Sequence, residues 1–151
     1  MRILMVCLGN ICRSPIAEGV MKTLAQQHHL PWEVDSAATE NYHIGEPPHR
    51  LSQKVCLQHG IDISQQKARK FTVADLAKYD LIYAMATDVY KEMMAIIGPN
   101  QTTNNVHLFL NELHPNQNES VPDPYYGAED GYHTVYKLIE ATCNIIINKY
   151  K

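Results

Sequence analysis

The sequence predicts an α/β fold: a three-layer sandwich in which a four-stranded, mostly parallel sheet carries helices on both faces. Two observations predict it. Short apolar runs alternate with amphipathic segments along the whole chain. The first run, RILMVC at residues 2–7, is continuously apolar after its arginine, as a strand covered on both faces must be. The chain has 151 residues, 45% hydrophobic and 19% charged, which is enough for one real core and one domain over residues 1–151.

The elements follow in order. After the strand at 2–7, Ser14-Pro15 reads as an N-cap with proline at the first helical position. Ile16, Ala17, Val20, Met21 and Leu24 then recur at helical spacing to about residue 28. Residues 32–39 (WEVDSAAT) read as a second strand, 51–59 as a helix ended by Gly60, and 73–78 as a short helix. DLIYAM at 80–85 is a third strand, Thr87 caps a helix to about 97, and VHLFL at 106–110 is a fourth strand. A polar stretch at 111–124 forms a long loop, of the kind that often carries function, before a closing helix over 129–148.

Composition excludes several classes. The net charge is −3, from 13 Lys+Arg against 16 Asp+Glu, with no basic block, so neither nucleic acid nor an anionic membrane is the expected partner. There is no 18-residue apolar run, and the apolar stretch at 3–8 is too short for a signal-peptide core, so the expected location is cytoplasmic. Cysteines at 7, 12, 56 and 143 do not form a secreted disulfide framework. Eight histidines show no metal-ligand spacing, and the expectation is no metal.

The informative stretch is VCLGNICRSP at residues 6–15, which joins the first strand to the first helix. In parallel sheets ligands bind beyond the carboxyl ends of the strands, where this loop lies. Seven residues turning from strand to helix present successive backbone N–H groups to one point, with the positive end of the helix behind them. Gly9 and Asn10 suit the tight winding that needs a positive φ, and Arg13 adds a planar fork for two phosphate oxygens. The loop is thus a phosphate-binding loop after the first strand. Cys7 on its floor is expected to face the phosphate as a thiolate, and a thiolate there attacks phosphorus to give a phosphocysteine. Ser14 would donate a hydrogen bond to the sulfur.

The stretch VCLGNICRSPIAE at 6–18 resembles the phosphate-binding signature of the low molecular weight protein tyrosine phosphatases: Cys, five residues, Arg, then Ser or Thr. VDSAAT (34–39), IGEPPH (44–49), HGIDIS (59–64), KAR (67–69) and VPDPYYG (121–127) fall in that family's order, so the resemblance covers the whole chain. It implies a single low molecular weight phosphatase-like domain over 1–151, and a hydrolase of phosphotyrosine monoesters with no cofactor. It also implies Cys7 as nucleophile and Arg13 as phosphate clamp, with Asn10, Ser14 and Ser36 holding the loop. Phosphorylated proteins are the implied substrates, and inorganic phosphate the product and competing ligand.

An aryl oxygen leaves far more readily as a phenol than as a phenolate, and Asp123 in the long loop is placed to supply the proton and later to take one from water. The substrate-binding set expected from loop and rim is Leu8, Gly9, Asn10, Ile11, Cys12, Ser14, Tyr42 and Tyr125. Ile11 stands where relatives resembling arginine phosphatases tend to carry threonine. Tyr125 and Tyr126 resemble tandem tyrosines that kinases modify in some members. Cys12 either packs the loop or pairs reversibly with Cys7; Cys56 and Cys143 read as core residues.

Two departures stand out: Met85-Ala86-Thr87-Asp88-Val89 lacks the acid and amide that many members carry, and Gln65-Gln66 replaces a loop-supporting histidine of the vertebrate members. Two other readings use the same cradle, a thiol-linked arsenate reductase and a non-catalytic phosphotyrosine-binding relative. The first would need two further cysteines after the third strand, and residues 83–91 contain none.

Overall fold

A computed structural model describes residues 1–151. It is a sheet of four strands between two layers of helices. β1 (Arg2–Cys7) leads through the phosphate-loop segment into α1 (Arg13–Gln27), followed by β2 (Glu33–Ala38), α2 (Arg50–Gln58), α3 (Asp75–Lys78), β3 (Leu81–Ala84), α4 (Thr87–Ile97), β4 (Val106–Leu108) and α5 (Glu129–Tyr150). The strand order is β2-β1-β3-β4 and every pairing is parallel. β1 is therefore paired on both sides, with Cys7 beside Ala38 of β2 and Val6 beside Ala84 of β3. The chain leaves β1 in one direction for β2 and reaches β3 on the other side. That reversal opens a crevice at the carboxyl end of β1.

The two-residue period of the strand divides the core. Ile3 and Met5 of β1, with Tyr83 of β3, pack against Ile16, Val20 and Met21 of α1, Val55 of α2, and Tyr136, Ile139 and Ile146 of α5. Leu4 and Val6, with Ile82 and Ala84, face the other way onto Val89, Met93 and Ile97 of α4 and Tyr79 after α3. A continuous apolar strand is needed because both faces are covered. No helix is long and apolar enough to cross a membrane.

The structure corrects several boundaries. Ser14 is not an N-cap: α1 already begins at Arg13, the residue before it is Cys12, and the Ser14 hydroxyl lies 3.0 Å from Cys7 Sγ instead. Thr87 is the first residue of α4 rather than its cap, and its hydroxyl accepts from Ser120. The fourth strand stops at Leu108, and Phe109–Asn111 forms a 3-10 turn whose Phe109 and Leu110 are buried. There the apolar run marks depth in the core, which a turn can reach as well as a strand. The second strand excludes Trp32 and Thr39, the third excludes Asp80 and Met85, and the short helix starts at Asp75. α2 is capped by the His49 ring, which accepts from Leu51 N–H at 3.1 Å, and the closing helix runs on to Tyr150.

One polar group is built into this core. The Tyr83 hydroxyl donates to Glu112 Oε2 at 2.6 Å, and Lys149 Nζ donates to the other oxygen at 2.8 Å. Burial alone would push the Glu112 carboxyl up; the bonds from Lys149 and Tyr83 outweigh it and hold the group below its ordinary value. A carboxyl so depressed stabilises the fold above its unfolded value of about 4.3, and the contribution is lost as pH falls through its folded value. Tyr83→Phe is expected to lower unfolding free energy by about 1–2 kcal/mol at neutral pH. In denaturant titrations that difference should shrink below about pH 4, as Glu112 takes a proton.

Candidate active site

The loop after β1 closes over its own first side chain. Asn10, and not Gly9, takes the left-handed conformation, with φ 59°. Gly9 is needed for close approach: a Cβ there would meet His43 Cδ2 at 3.1 Å. The turn brings Asn10 N–H to 3.3 Å from Cys7 Sγ, and the thiol sits almost fully buried at the base of a cavity of about 130 Å³. Wider clefts on other faces, of about 510 and 820 Å³, hold no cysteine. Chemistry rather than size marks the site.

Beneath the loop the hydrogen bonds have a fixed direction. The Asn10 amide donates to Ser14 Oγ at 2.8 Å and to Ser36 Oγ at 2.9 Å, which uses both its hydrogens. Its Oδ1 accepts from Arg69 N–H at 3.1 Å. Ser36 in turn donates to Glu18 Oε1 at 2.6 Å, and Lys22 holds the other oxygen of that buried carboxylate at 2.6 Å. Since Ser14 Oγ already accepts from Asn10, its one proton is free to point at the sulfur 3.0 Å away. A hydroxyl aimed this way is placed to donate to the sulfur.

Arg13, at the start of α1, is buried, with its fork toward the same cavity. Nη1 donates to the Val121 carbonyl at 3.0 Å, and Nη2 lies 3.7 Å from Asp123 Oδ2. Asp123 is partly exposed at the cavity wall, and Oδ1 accepts from Tyr125 N–H at 3.1 Å. The segment is fastened to the sheet by Val121 N–H, which donates to Met85 O at 2.8 Å, and by Thr87 N–H, which donates to Ser120 Oγ at 2.9 Å. These bonds brace the loop where the sequence carries Ala86 in place of an acid. Gln66 supports the other side, donating to Pro15 O at 3.1 Å.

Of the expected site residues, Cys7, Leu8, Gly9, Ile11, Cys12, Arg13, Tyr42, Asp123 and Tyr125 line the cavity. The side chains of Asn10 and Ser14 do not; both are buried below it and hold the loop together with Ser36. Their side-chain polar atoms are taken up by one another and by Cys7, Ser36 and Arg69, so these side chains act as supports of the loop. His43 and Tyr126 also line the cavity and were not anticipated. Nothing in the local pattern distinguishes His43 from a surface histidine, whereas Tyr126 was legible beside Tyr125. Glu18 was missed too, although its place four residues after Ser14 puts it on the same side of α1.

The other thiols differ. Burial pushes Cys12 up to about 12, and the Tyr132 hydroxyl, 3.6 Å from its sulfur, offsets only part of this. Burial likewise pushes Cys56 up to about 12 and Cys143 higher still. All four cysteines are free thiols.

The family described as low molecular weight phosphotyrosine protein phosphatase matches residues 2–151. The low molecular weight phosphotyrosine protein phosphatase of Homo sapiens is 36% identical over 149 residues, covering 97% of this chain and 94% of that protein. A solved protein tyrosine phosphatase from Entamoeba histolytica superposes with a TM-score of 0.90 at 38% identity, covering 99% of this chain and 96% of the other. The Drosophila arginine phosphatase superposes with a TM-score of 0.89 at 29% identity, covering 100% and 98%. The backbone is thus shared by relatives whose names specify different phosphorylated side chains.

Iodoacetate near neutral pH is expected to give a single adduct, at Cys7, that inorganic phosphate prevents. Cys12, Cys56 and Cys143 should react only in strong alkali or after unfolding, because their raised values keep them protonated. Peptide mass mapping after a short exposure reads this directly, and an early phosphate-insensitive adduct at Cys12 would contradict it.

Proposed function

Because this chain belongs to the low molecular weight phosphotyrosine protein phosphatase family, we propose that it hydrolyses phosphotyrosine monoesters through a covalent phosphocysteine at Cys7. The observation that carries the proposal is the opposition across one small cavity of Cys7 Sγ, with Ser14 Oγ at 3.0 Å, and the Arg13–Asp123 pair at 3.7 Å. Nucleophile, anion clamp and proton donor therefore meet a single tetrahedral guest.

In the first step the sulfur attacks phosphorus from below, forming the S–P bond as the aryl P–O bond breaks. The loop N–H groups and the Arg13 fork hold the equatorial oxygens, where charge spreads in the transition state. Asp123, protonated, gives its proton to the departing phenolic oxygen, so a phenol leaves. In the second step Asp123 takes a proton from water as its oxygen forms a bond to phosphorus and the S–P bond breaks. Phosphate is released, and Ser14, already aimed at the sulfur, stabilises the thiolate as it leaves. The cycle closes without a cofactor. Leu8, Ile11, Tyr42 and Tyr125 supply the apolar and aromatic walls that suit an aryl ring.

Expected partners are tyrosine-phosphorylated proteins, with inorganic phosphate as competing ligand, in the cytoplasm. Cys7→Ser should abolish p-nitrophenyl phosphate turnover while phosphate binding persists; no turnover in wild type either would favour a protein that binds phosphotyrosine without cleaving it. Asp123→Ala should slow cleavage by about 10²–10⁴-fold, with the larger losses for substrates with poor leaving groups. Equal slowing across leaving groups would remove Asp123 from the acid role. Among phosphotyrosine, phosphoserine and phosphoarginine peptides the first should turn over fastest, and a preference for phosphoarginine would place the chain with the arginine relatives instead.

A further inference from the structure

Tyr125 forms one wall of the pocket, two residues from Asp123, and its own N–H is bonded to that carboxylate. It is partly exposed, so something must hold its ring. Three rings surround it. Tyr126, at 4.9 Å between centroids, is almost fully exposed; His43, at 6.0 Å, lies on an exposed loop and is paired with Glu46. The third, His49, meets Tyr125 edge-on at 5.8 Å and 74°, and it is anchored.

Its anchors are specific. The His49 N–H donates to the Ile11 carbonyl of the phosphate loop at 2.7 Å, and its carbonyl accepts from Gln53 N–H at 3.0 Å. Nδ1 accepts from Leu51 N–H at 3.1 Å, and the ring stacks at 5.3 Å and 23° on Tyr132, which is buried and whose hydroxyl reaches Cys12 Sγ. The backbone of His49 thus ties it to the phosphate loop, and its ring joins the start of α2, α5 and the Tyr125 wall.

We propose that His49 is the positioning residue for the aromatic side of the pocket: its neutral ring, set between Tyr132 and Tyr125, fixes the angle at which Tyr125 meets the aryl group of the substrate. The proposal rests on the phosphotyrosine phosphatase reading above and names the residue that makes that wall rigid. Accepting at Nδ1 requires the neutral ring with its proton on Nε2. Arg50 on its own helix and His43 on the facing loop, itself paired with Glu46, are the charged or titratable neighbours. Tyr125 and Tyr132 are the groups facing it from the acid loop and α5. Burial first, then Arg50 and His43, hold His49 below its ordinary value, which keeps the ring neutral at neutral pH. Acidification puts a proton on Nδ1, breaks the helix cap and sets a cation beside Arg50.

Two variants separate ring from cap. His49→Asn keeps an acceptor for Leu51 N–H but has no ring. It is expected to raise the KM for an aryl phosphate about fivefold, the scale of a lost aromatic contact. Its kcat should stay within about twofold, and the inhibition constant of inorganic phosphate, which touches only the loop, should not change. His49→Phe keeps the ring but not the cap. Its thermal midpoint should fall, its KM at about pH 7.5 should stay near wild type, and on going to about pH 5 its KM should rise less than that of wild type. Wild-type KM in His49→Asn, a loss confined to kcat, or the same pH-dependent rise in His49→Phe would each overturn the proposal. Failure of wild type to turn over aryl phosphates or bind phosphate would instead overturn the enzymatic reading beneath it.

Discussion

The geometry of the site depends on a single side-chain amide. Asn10 has two hydrogens to give and one oxygen to receive, and the structure uses all three: Ser14, Ser36 and the backbone of Arg69. This fixes the direction of the hydroxyls on either side of it. Ser36 must turn its proton to Glu18, and Ser14 must turn its proton to Cys7. Had Asn10 been turned the other way, both hydroxyls would compete to donate to it, and the sulfur would face a lone pair. A buried network of this kind is useful only when every member is satisfied, because a half-satisfied one is costly in low dielectric. The polarity carries outward as well. The Glu18 carboxylate is buried against Lys22, and Arg69 is gripped by Asp75 and Asp35, so the chain of donors ends at charges on two sides.

The scaffold is arranged to keep that network still. β1 pairs with both β2 and β3, and its last residue is Cys7. Segment 68–71 adds a further tie alongside the end of β2, through Ala38 N–H to Arg69 O and Phe71 N–H to Ala38 O, at 2.7 Å each. The loop therefore springs from a strand held on both sides. Its rim is built otherwise: Tyr42 and Tyr126, which line the cavity mouth, are widely exposed.

The parts of this architecture that repeat or punctuate were legible in the sequence. RILMVC gave the first strand to the residue, since a doubly covered strand has no polar alternation to blur its ends. Cys7, Arg13 and Asp123 were singled out because their types and spacing answer one chemical need, and all three line the same cavity. Other features were hidden for physical reasons. Serine and threonine hydroxyls cap helices and also make hydrogen bonds within the fold, so Ser14 and Thr87 carried the signal of one role and perform the other. VHLFL looked like a strand throughout, yet its second half turns into a 3-10 element, because burial does not specify backbone geometry. His43 and His49 gave no sign at all, for their significance lies in rings contributed from far along the chain.

The bond from Arg13 to the Val121 carbonyl has a consequence for how the cycle begins. In the proposed cycle the guanidinium assigned to the phosphate already fastens the segment leading to Asp123, and that segment is stitched to the end of β3 through Met85. On that proposal Arg13 and Asp123 are brought together by folding rather than by the substrate, and the loss of freedom needed to align them is settled beforehand. For the proposed reaction the two groups flanking the phosphate are already in register, so alignment adds little to what a substrate must still overcome on entry.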